Sequence, residues 1–309
     1  METEHNSKKP TFTILIPSHN RGYVIGETLD SIQRSKYKNI EVLIVDDGST
    51  DNTKKTIEEF KKKSDLSVRY IFQENQGKHV ALNTGAKKAY GEFVVNIDSD
   101  DLLLPNALNE IYTLWKKVPE KERPSIAGVV ANCVKEDGSL SGTETPNAPL
   151  RSSFLKIRKE HNLNGEKRWI LRSEVMQEFP YPTFPGEKHS RPGLIVNRIS
   201  KKYDFIFSNI RLLMVRHMPD GITANRKIIQ NQNPLGYRQY FLEEIRDNAG
   251  YTSRKSLKSY YKRYIKMSLL SGVSLKEQAK EAPNLYLWMQ CLPKALVTYL
   301  RERTNNIKK

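Results

Sequence analysis

Two acidic clusters are the first places in this sequence where side chains of one type gather closely enough to do chemistry. Asp98-Ser99-Asp100-Asp101 follows the apolar run Phe93–Ile97, and Asp46-Asp47-Gly48-Ser49-Thr50-Asp51 follows the apolar run Glu41–Val45. In an extended segment the side chains at i and i+2 point the same way, so Asp98 and Asp100 can share one ligand. Two such carboxylates repel unless one is protonated or a cation lies between them. Hard oxygen donors suit Mg²⁺ or Mn²⁺, ions that typically hold a diphosphate through one or two carboxylates. At the other cluster, a carboxylate at Asp46 or Asp47 can accept the N–H of a uracil ring or the hydroxyls of a ribose. Gly48 lets that turn approach such a ligand closely. The plainer explanation of the same residues is that Asp51 caps a helix and its neighbours are ordinary turn residues.

The elements that must position these acids can be read from periodicity. Thr11–Ile16, Glu41–Val45, Val68–Phe72 and Phe93–Ile97 are short apolar runs of strand length. Helical patterns separate them: Tyr23–Ser35 with Ile25, Leu29 and Ile32 on one face, then Asp51–Lys63, then Lys78–Ala89. Strands alternating with helices at this spacing predict βαβ units and a mostly parallel sheet. Ligands of such sheets bind beyond the carboxyl ends of the strands, which is where both acidic clusters fall. Further on, Leu104–Val118 reads as a helix and Ser125–Val134 as a strand. Asp137–Pro149 reads as a loop, and Arg168–Arg172 and Asn209–Met218 as strands that extend the sheet. From about Pro234 the pattern is helical throughout. No G-x-G-x-x-G follows a strand and no G-x-x-x-x-G-K-[ST] occurs, which argues against a dehydrogenase or a P-loop NTPase. The charge of a diphosphate would have to be met by metal and cationic side chains instead.

Composition sets outer bounds. The 309 residues, 38% hydrophobic, suffice for one large domain with an appended lobe. Cys133 and Cys291 are the only cysteines and support neither a disulfide framework nor a cysteine zinc site. The opening METEHNSKKP has no apolar h-region, and no run of 18 apolar residues occurs, so a cytoplasmic protein without a membrane span is expected. The net charge of +16 is concentrated late: residues 251–309 carry 13 Lys/Arg against 3 Asp/Glu. In that stretch Tyr260, Tyr264, Met267 and Leu270, then Leu285, Trp288, Leu292 and Leu296, recur at helical spacing among lysines. A basic amphipathic helix of this kind can rest in the interface of an anionic membrane. The competing expectation is that the apolar stripe packs on the protein and the charge is its solvated back.

Three motifs in order carry a family resemblance: Ile16-Pro17-Ser18-His19-Asn20-Arg21, Ile44-Val45-Asp46-Asp47-Gly48-Ser49-Thr50-Asp51 and Ile97-Asp98-Ser99-Asp100-Asp101. Over roughly residues 10–230 the chain resembles the inverting family 2 glycosyltransferases of GT-A fold, bacterial surface-polysaccharide type. The resemblance implies a domain over residues 1–232, with a nucleotide-binding half at 10–101 and an acceptor-binding half at 102–232. A basic helical extension at 233–309 lies outside it. It also implies that Pro17 and Asp47 line the nucleobase with Asp46 nearby, and that Lys78 and Asn83 lie near the donor. Asp98 and Asp100 would form the DxD element that holds Mn²⁺ or Mg²⁺ and the diphosphate, with Asp100 the direct ligand.

In the same family an acceptor hydroxyl attacks the anomeric carbon while a carboxylate takes its proton. Here Gly186-Glu187-Lys188-His189 stands at that carboxylate's place, which makes Glu187 the candidate base, with Lys188 in place of the commoner Asp. His217 would be a late metal ligand or a structural histidine, and His79 a donor contact or a packed helix residue. Arg172 would touch a phosphate or form a surface ion pair. The implied partners are a nucleotide-sugar, most simply a UDP-sugar, and a glycan or lipid-diphosphate-linked acceptor, at the inner face of the membrane. Two other functions fit parts of the sequence. A sugar nucleotidyltransferase would be expected to carry a Gly-rich loop after the first strand, but Pro17–Gly22 has one Gly. A nucleic-acid-binding protein would suit the basic tail, but no recognition motif accompanies it.

Overall fold

A computed structural model describes residues 9–161, 163–222 and 224–307. The opening octapeptide and Thr223 lie outside the described residues. The first half alternates as the periodicity predicts: β1 (Phe12–Ser18), α1 (Ile25–Gln33), β2 (Ile40–Asp47), α2 (Thr53–Lys63), β3 (Ser67–Gln73), α3 (Lys78–Lys88) and β4 (Phe93–Asn96). Every residue of β1 and β2 is buried, as expected of central parallel strands covered on both faces, whereas β3 is only half-buried at the sheet edge. The chain goes on through β5 (Leu102–Leu103), α4 (Ala107–Lys116), β6 (Ile126–Val134), β7 (Leu150–Ser152), α5 (Phe154–His161), β8 (Lys167–Arg172), α6 (Ser173–Glu178), α7 (Gly193–Ile199) and β9 (Asp204–Met214).

Among the described residues the sheet has nine strands, in the order β3-β2-β1-β4-β8-β6-β9-β5 with β7 paired to β9. It is parallel from β3 to β4 and mixed beyond, since β8 runs antiparallel to both β4 and β6. Its core joins Ile14, Ile16, Val42 and Ile44 to Trp115, Val129 and Leu213, and Phe93 meets Trp115 edge-on at 5.1 Å. Because β1 has β2 on one side and β4 on the other, the chain reverses its direction of travel across the sheet between β1 and β4. The crevice at such a switch point is where an open α/β sheet takes its ligand.

Contacts divide the chain into two units. The sheet unit comprises Met1–Phe154, Leu163–Pro180 and Ile199–Met218. The helical unit comprises Leu155–Asn162, Tyr181–Arg198 and Pro219–Lys309, so it takes in Glu187 and segments ahead of residue 233 as well as the helical extension. Its remaining elements are α8 (Arg226–Gln232), α9 (Pro234–Arg246), α10 (Arg254–Leu270), α11 (Leu275–Glu281) and α12 (Leu285–Ile307). The stripe that the sequence offers to a membrane is largely interior. Tyr264 and Met267 are fully buried and Trp288 nearly so, packed with Tyr237, Tyr240 and Phe241 of α9. Burying these large side chains against α9 removes more apolar surface from water than a lone helix could. Among the described residues no helix is long and apolar enough to cross a membrane. Cys133 and Cys291 are free thiols, both buried.

Candidate active site

At the carboxyl end of β1 the chain enters the loop Ser18–Gly22, which is tied to the loop after β2. Asn20 N donates to Ser49 Oγ (2.8 Å), Gly22 N to Asp51 Oδ2 (3.0 Å), and Thr50 N to Asn20 Oδ1 (2.8 Å). Asp51 also accepts Thr53 N at 2.9 Å and so caps α2 from just ahead of it, as the structural explanation of that residue expects. Pro17, buried in β1, lies beyond the last β4 partner of that strand, so its missing N–H leaves no gap in the ladder.

Asp46 and Asp47 are both buried and both engaged. Asp46 accepts Ser49 N (2.8 Å) and the Tyr70 hydroxyl (2.7 Å). Asp47 accepts Gln73 Nε2 (2.8 Å) and the amides of Gln76 (2.9 Å) and Gly77 (2.7 Å). It thereby pins the loop that leads from β3 into α3. Gly48, at φ +80°, lets this turn close on Asn75: a Cβ there would stand 2.8 Å from the Asn75 amide nitrogen.

Lys78 opens α3 and reaches Asp98, with Nζ 2.6 Å from Oδ1. Asn83 lies further along the same helix, and His79 is a buried helix residue. Beyond β4 the backbone turns tightly, Asp101 N donating to Asp98 O at 3.0 Å. Two arginines that the sequence reading passed over hold this turn. Arg168 of β8 donates to Asp101 (2.5 Å) and stands 3.6 Å from Asp98. Arg216, just after β9, donates its amide to Asp101 (3.2 Å), its Nε to the Asp100 carbonyl (2.5 Å) and a guanidinium N–H to Glu27 (2.5 Å). Arg172, by contrast, is at the far end of β8. It donates to the Ile126 and Pro124 carbonyls and pairs with Glu174, which is the ion-pair alternative.

Burial alone would raise the Asp98 carboxyl, but Lys78 and Arg168 overcome that and hold it down to about 2. Asp100 moves the other way, raised by burial and by the Asp98 charge. No side chain among the described residues donates to the Asp100 carboxylate. A partly buried carboxylate without a side-chain donor among the described residues, two residues from an ionised one, fits a hard divalent cation as a further partner. Among the described residues no three His, Cys, Asp or Glu side chains converge as a metal cage. The exposed His217 is therefore not gathered with Asp98 and Asp100. A two-carboxylate donor set suits Mg²⁺ or Mn²⁺ that keep water and substrate phosphate as their other ligands.

Glu187 belongs to the helical unit, and its surroundings give it a structural duty. Its carboxylate accepts Leu235 N (2.5 Å) and Gly236 N (2.8 Å) at the first turn of α9, where backbone amides lack helical partners. In return Asn233 Oδ1 accepts the amides of Lys188 (2.7 Å) and His189 (2.9 Å), so the 187–189 loop and the start of α9 cap each other. Burial raises the Glu187 carboxyl against these two amides, which act to lower it.

A parallel half-sheet ending in a cation-braced acidic turn at its switch point, joined to a mixed half-sheet, defines the GT-A class of glycosyltransferase. Comparison with known proteins agrees. Residues 13–163 match glycosyl transferase family 2. A GalNAc(5)-diNAcBac-PP-undecaprenol beta-1,3-glucosyltransferase of Campylobacter jejuni is 28% identical over 266 residues, covering 82% of this chain and 81% of that one. Among solved structures, the mannosyltransferase PcManGT from Pyrobaculum calidifontis, in complex with GDP-Man and Mn²⁺, superposes with a TM-score of 0.58 at 21% identity. It covers 96% of this chain and 83% of that one. S. aureus TarS 1-349 in complex with UDP-GlcNAc gives 0.54 at 18% identity, covering 92% and 80%, while the chain spans 48% of a longer TarS structure. The chain is a glycosyltransferase that carries a family 2 domain on a GT-A fold. That sets aside the sugar nucleotidyltransferase alternative.

Proposed function

We propose that this enzyme transfers a sugar, with inversion, from a UDP-sugar to a glycan or lipid-diphosphate-linked acceptor during surface-polysaccharide assembly on the cytoplasmic side of the membrane. The observation that carries the reading is the Asp98–Asp101 turn, where among the described residues Asp100 has no side-chain donor while Lys78, Arg168 and Arg216 brace the turn around it. The UDP-GlcNAc complex of TarS supports the nucleotide, and the PP-undecaprenol acceptor of the Campylobacter relative supports the acceptor class.

In this reading Pro17 and the loop pinned by Asp47 flank the nucleobase, and Asp46 keeps the β2 turn in shape through Ser49 and Tyr70. Asp98 and Asp100 would hold Mn²⁺ or Mg²⁺, which when bound would neutralise charge on the departing nucleoside diphosphate. Lys78 at the start of α3 and Asn83 in the middle of that helix stand on the donor side. Glu187 takes the proton of the acceptor hydroxyl as that oxygen bonds to the anomeric carbon and the sugar–phosphate C–O bond breaks. Each of its oxygens accepts one amide and keeps a lone pair for this, and its raised carboxyl makes it a stronger base than an exposed glutamate.

The test is a donor screen with UDP-Glc, UDP-Gal, UDP-GlcNAc, UDP-GalNAc and GDP-Man, scored by released nucleoside diphosphate, with and without EDTA. Turnover of one UDP-sugar that EDTA abolishes is expected. A preference for GDP-Man would overturn the nucleotide assignment, and full activity in excess EDTA would overturn the metal site.

A further inference from the structure

The helix α12 is amphipathic in an unusual sense: both of its long faces are apolar. Trp288, Cys291 and Ala295 face inward and are buried in the core of the helical unit. On the opposite side, at spacings of three and four residues, stand Tyr286 (62% exposed), Met289 (50%), Pro293, Val297 (48%) and Leu300 (55%). At 100° per residue these five positions fall within a sector about 80° wide, centred opposite the buried one. No acidic or basic residue lies in that sector. Lys294 and Arg301 border it on one side and Arg303 on the other. A soluble helix presents a polar outer face, and a contiguous apolar stripe over four turns marks an interaction surface.

We propose that this outward face of α12 seats the enzyme on an anionic lipid surface. Three observations choose that occupant. The stripe is bordered by bases, and the segment from residue 251 onward carries 13 basic against 3 acidic residues, a charge that complements acidic headgroups. A second copy of the chain would pair the same patch with itself and bring two such basic segments together. Pro293 lies in the middle of the exposed face and removes the N–H that would satisfy the Met289 carbonyl, so the backbone there keeps a need for water. That need is met at headgroup depth and not in a dry protein interface. The geometry is that of a helix lying along the interface with Tyr286, Met289, Val297 and Leu300 below the headgroups and its bases among them. It differs from the α10 stripe, whose Tyr264 and Met267 are core. The inference stands apart from the donor and acceptor proposed above.

The test is co-sedimentation of the full chain with phosphatidylcholine vesicles containing about one-third phosphatidylglycerol, and with pure phosphatidylcholine, at low and high salt. Binding to the anionic vesicles that weakens at least about tenfold in high salt, and on pure phosphatidylcholine, is expected. The variant Tyr286→Ser/Met289→Ser/Val297→Ser alters only exposed side chains, so its melting temperature should match the parent while its vesicle binding falls at least about tenfold. Lys294→Glu should lower binding in low salt and leave nucleotide-sugar hydrolysis unchanged. Failure of the parent to sediment with anionic vesicles would overturn the proposal, as would equal binding by a folded triple variant. Retention on RNA without vesicle binding, or a concentration-dependent dimer that the triple variant abolishes, would assign the face to another occupant.

Discussion

Two groups of carboxylates at opposite ends of the parallel strands have different fates. At the amino end, Glu41 is almost fully buried and every direction is answered. Oε1 accepts the Thr13 hydroxyl (2.5 Å) and Tyr90 N (2.6 Å), and Oε2 accepts Arg69 (3.0 Å), whose guanidinium lies 3.9 Å over the Tyr90 ring. At the carboxyl end, Asp98 and Asp101 are braced by cations just as closely, yet Asp100 between them has no donor side chain among the described residues. Both groups have the sequence signature of an acid beside an apolar strand, and only the completeness of their hydrogen bonding separates a clamp from a site. A saturated carboxylate can only be broken, whereas an unsaturated one has something left to bind. Glu187 sits between these extremes, with one amide on each oxygen and a lone pair to spare.

That contrast can be broken experimentally, and the intermediate case has the largest expected effect. Glu187→Gln should reduce sugar transfer by about 10²–10⁴, the usual contribution of a general base, with UDP affinity measured by calorimetry within about twofold of the parent. Transfer within about tenfold of the parent would reduce Glu187 to its role at the start of α9. Asp100→Ala should lower turnover by about 10²–10³ and leave the melting temperature nearly unchanged, because no side chain among the described residues donates to that carboxylate. A large drop in melting temperature would make it a second clamp. Glu41→Gln should do the reverse, lowering stability by about 2 kcal/mol in urea titrations with KM for donor unaltered. Asp47→Ala is the subtlest case: it frees the Gln76 and Gly77 amides and should weaken UDP binding by about tenfold, the value of roughly one lost charged hydrogen bond. Unchanged UDP affinity would show that the loop is held without it.

The comparison also shows what could be read from the residues alone. Of the four parallel strands, β1, β2 and β4 were legible because doubly covered strands are written as apolar runs, the half-buried edge strand β3 because Val68–Phe72 is rich in apolar and aromatic residues, and both acidic clusters because they fall at strand ends. In the second half of the sheet β6, β8 and the later part of β9 were legible as well, but β5 and β7 were not, because they are two and three residues long and a strand of that size has no period to detect. Strand direction was hidden as well, and it decided which arginine mattered. Lys167–Arg172 offers Arg168 at one end and Arg172 at the other. Since β8 runs antiparallel to β4, with Phe93 opposite Arg172 and Val95 opposite Ile170, it is Arg168 that arrives beside Asp98. A parallel β8 would have made Arg172 the natural choice. Glu187 was placed by resemblance, and its hold on α9 depends on a contact 49 residues away that no local pattern encodes.

The Lys78–Asp98 pair has one more consequence. A cluster of acids that waits for a divalent ion would strain the fold whenever the ion is scarce, unless some other positive charge stands in. Lys78 is that stand-in, a tethered counter-ion on a flexible stem that neutralises Asp98 at 2.6 Å. Asp98 thus has a counter-ion whether or not the proposed cation is bound, and on that reading losing the ion exchanges counter-ions at Asp98 without refolding the turn. Chelation should therefore separate two properties that usually fall together: EDTA should abolish turnover while leaving the melting temperature within about a degree. In Lys78→Met the melting temperature should instead rise when Mn²⁺ is added, because the ion then supplies charge compensation that the side chain no longer provides. The stabilisation that Lys78 gives Asp98 should itself be present above about pH 4, the ordinary carboxylate range, and fade as the pH falls toward the depressed value.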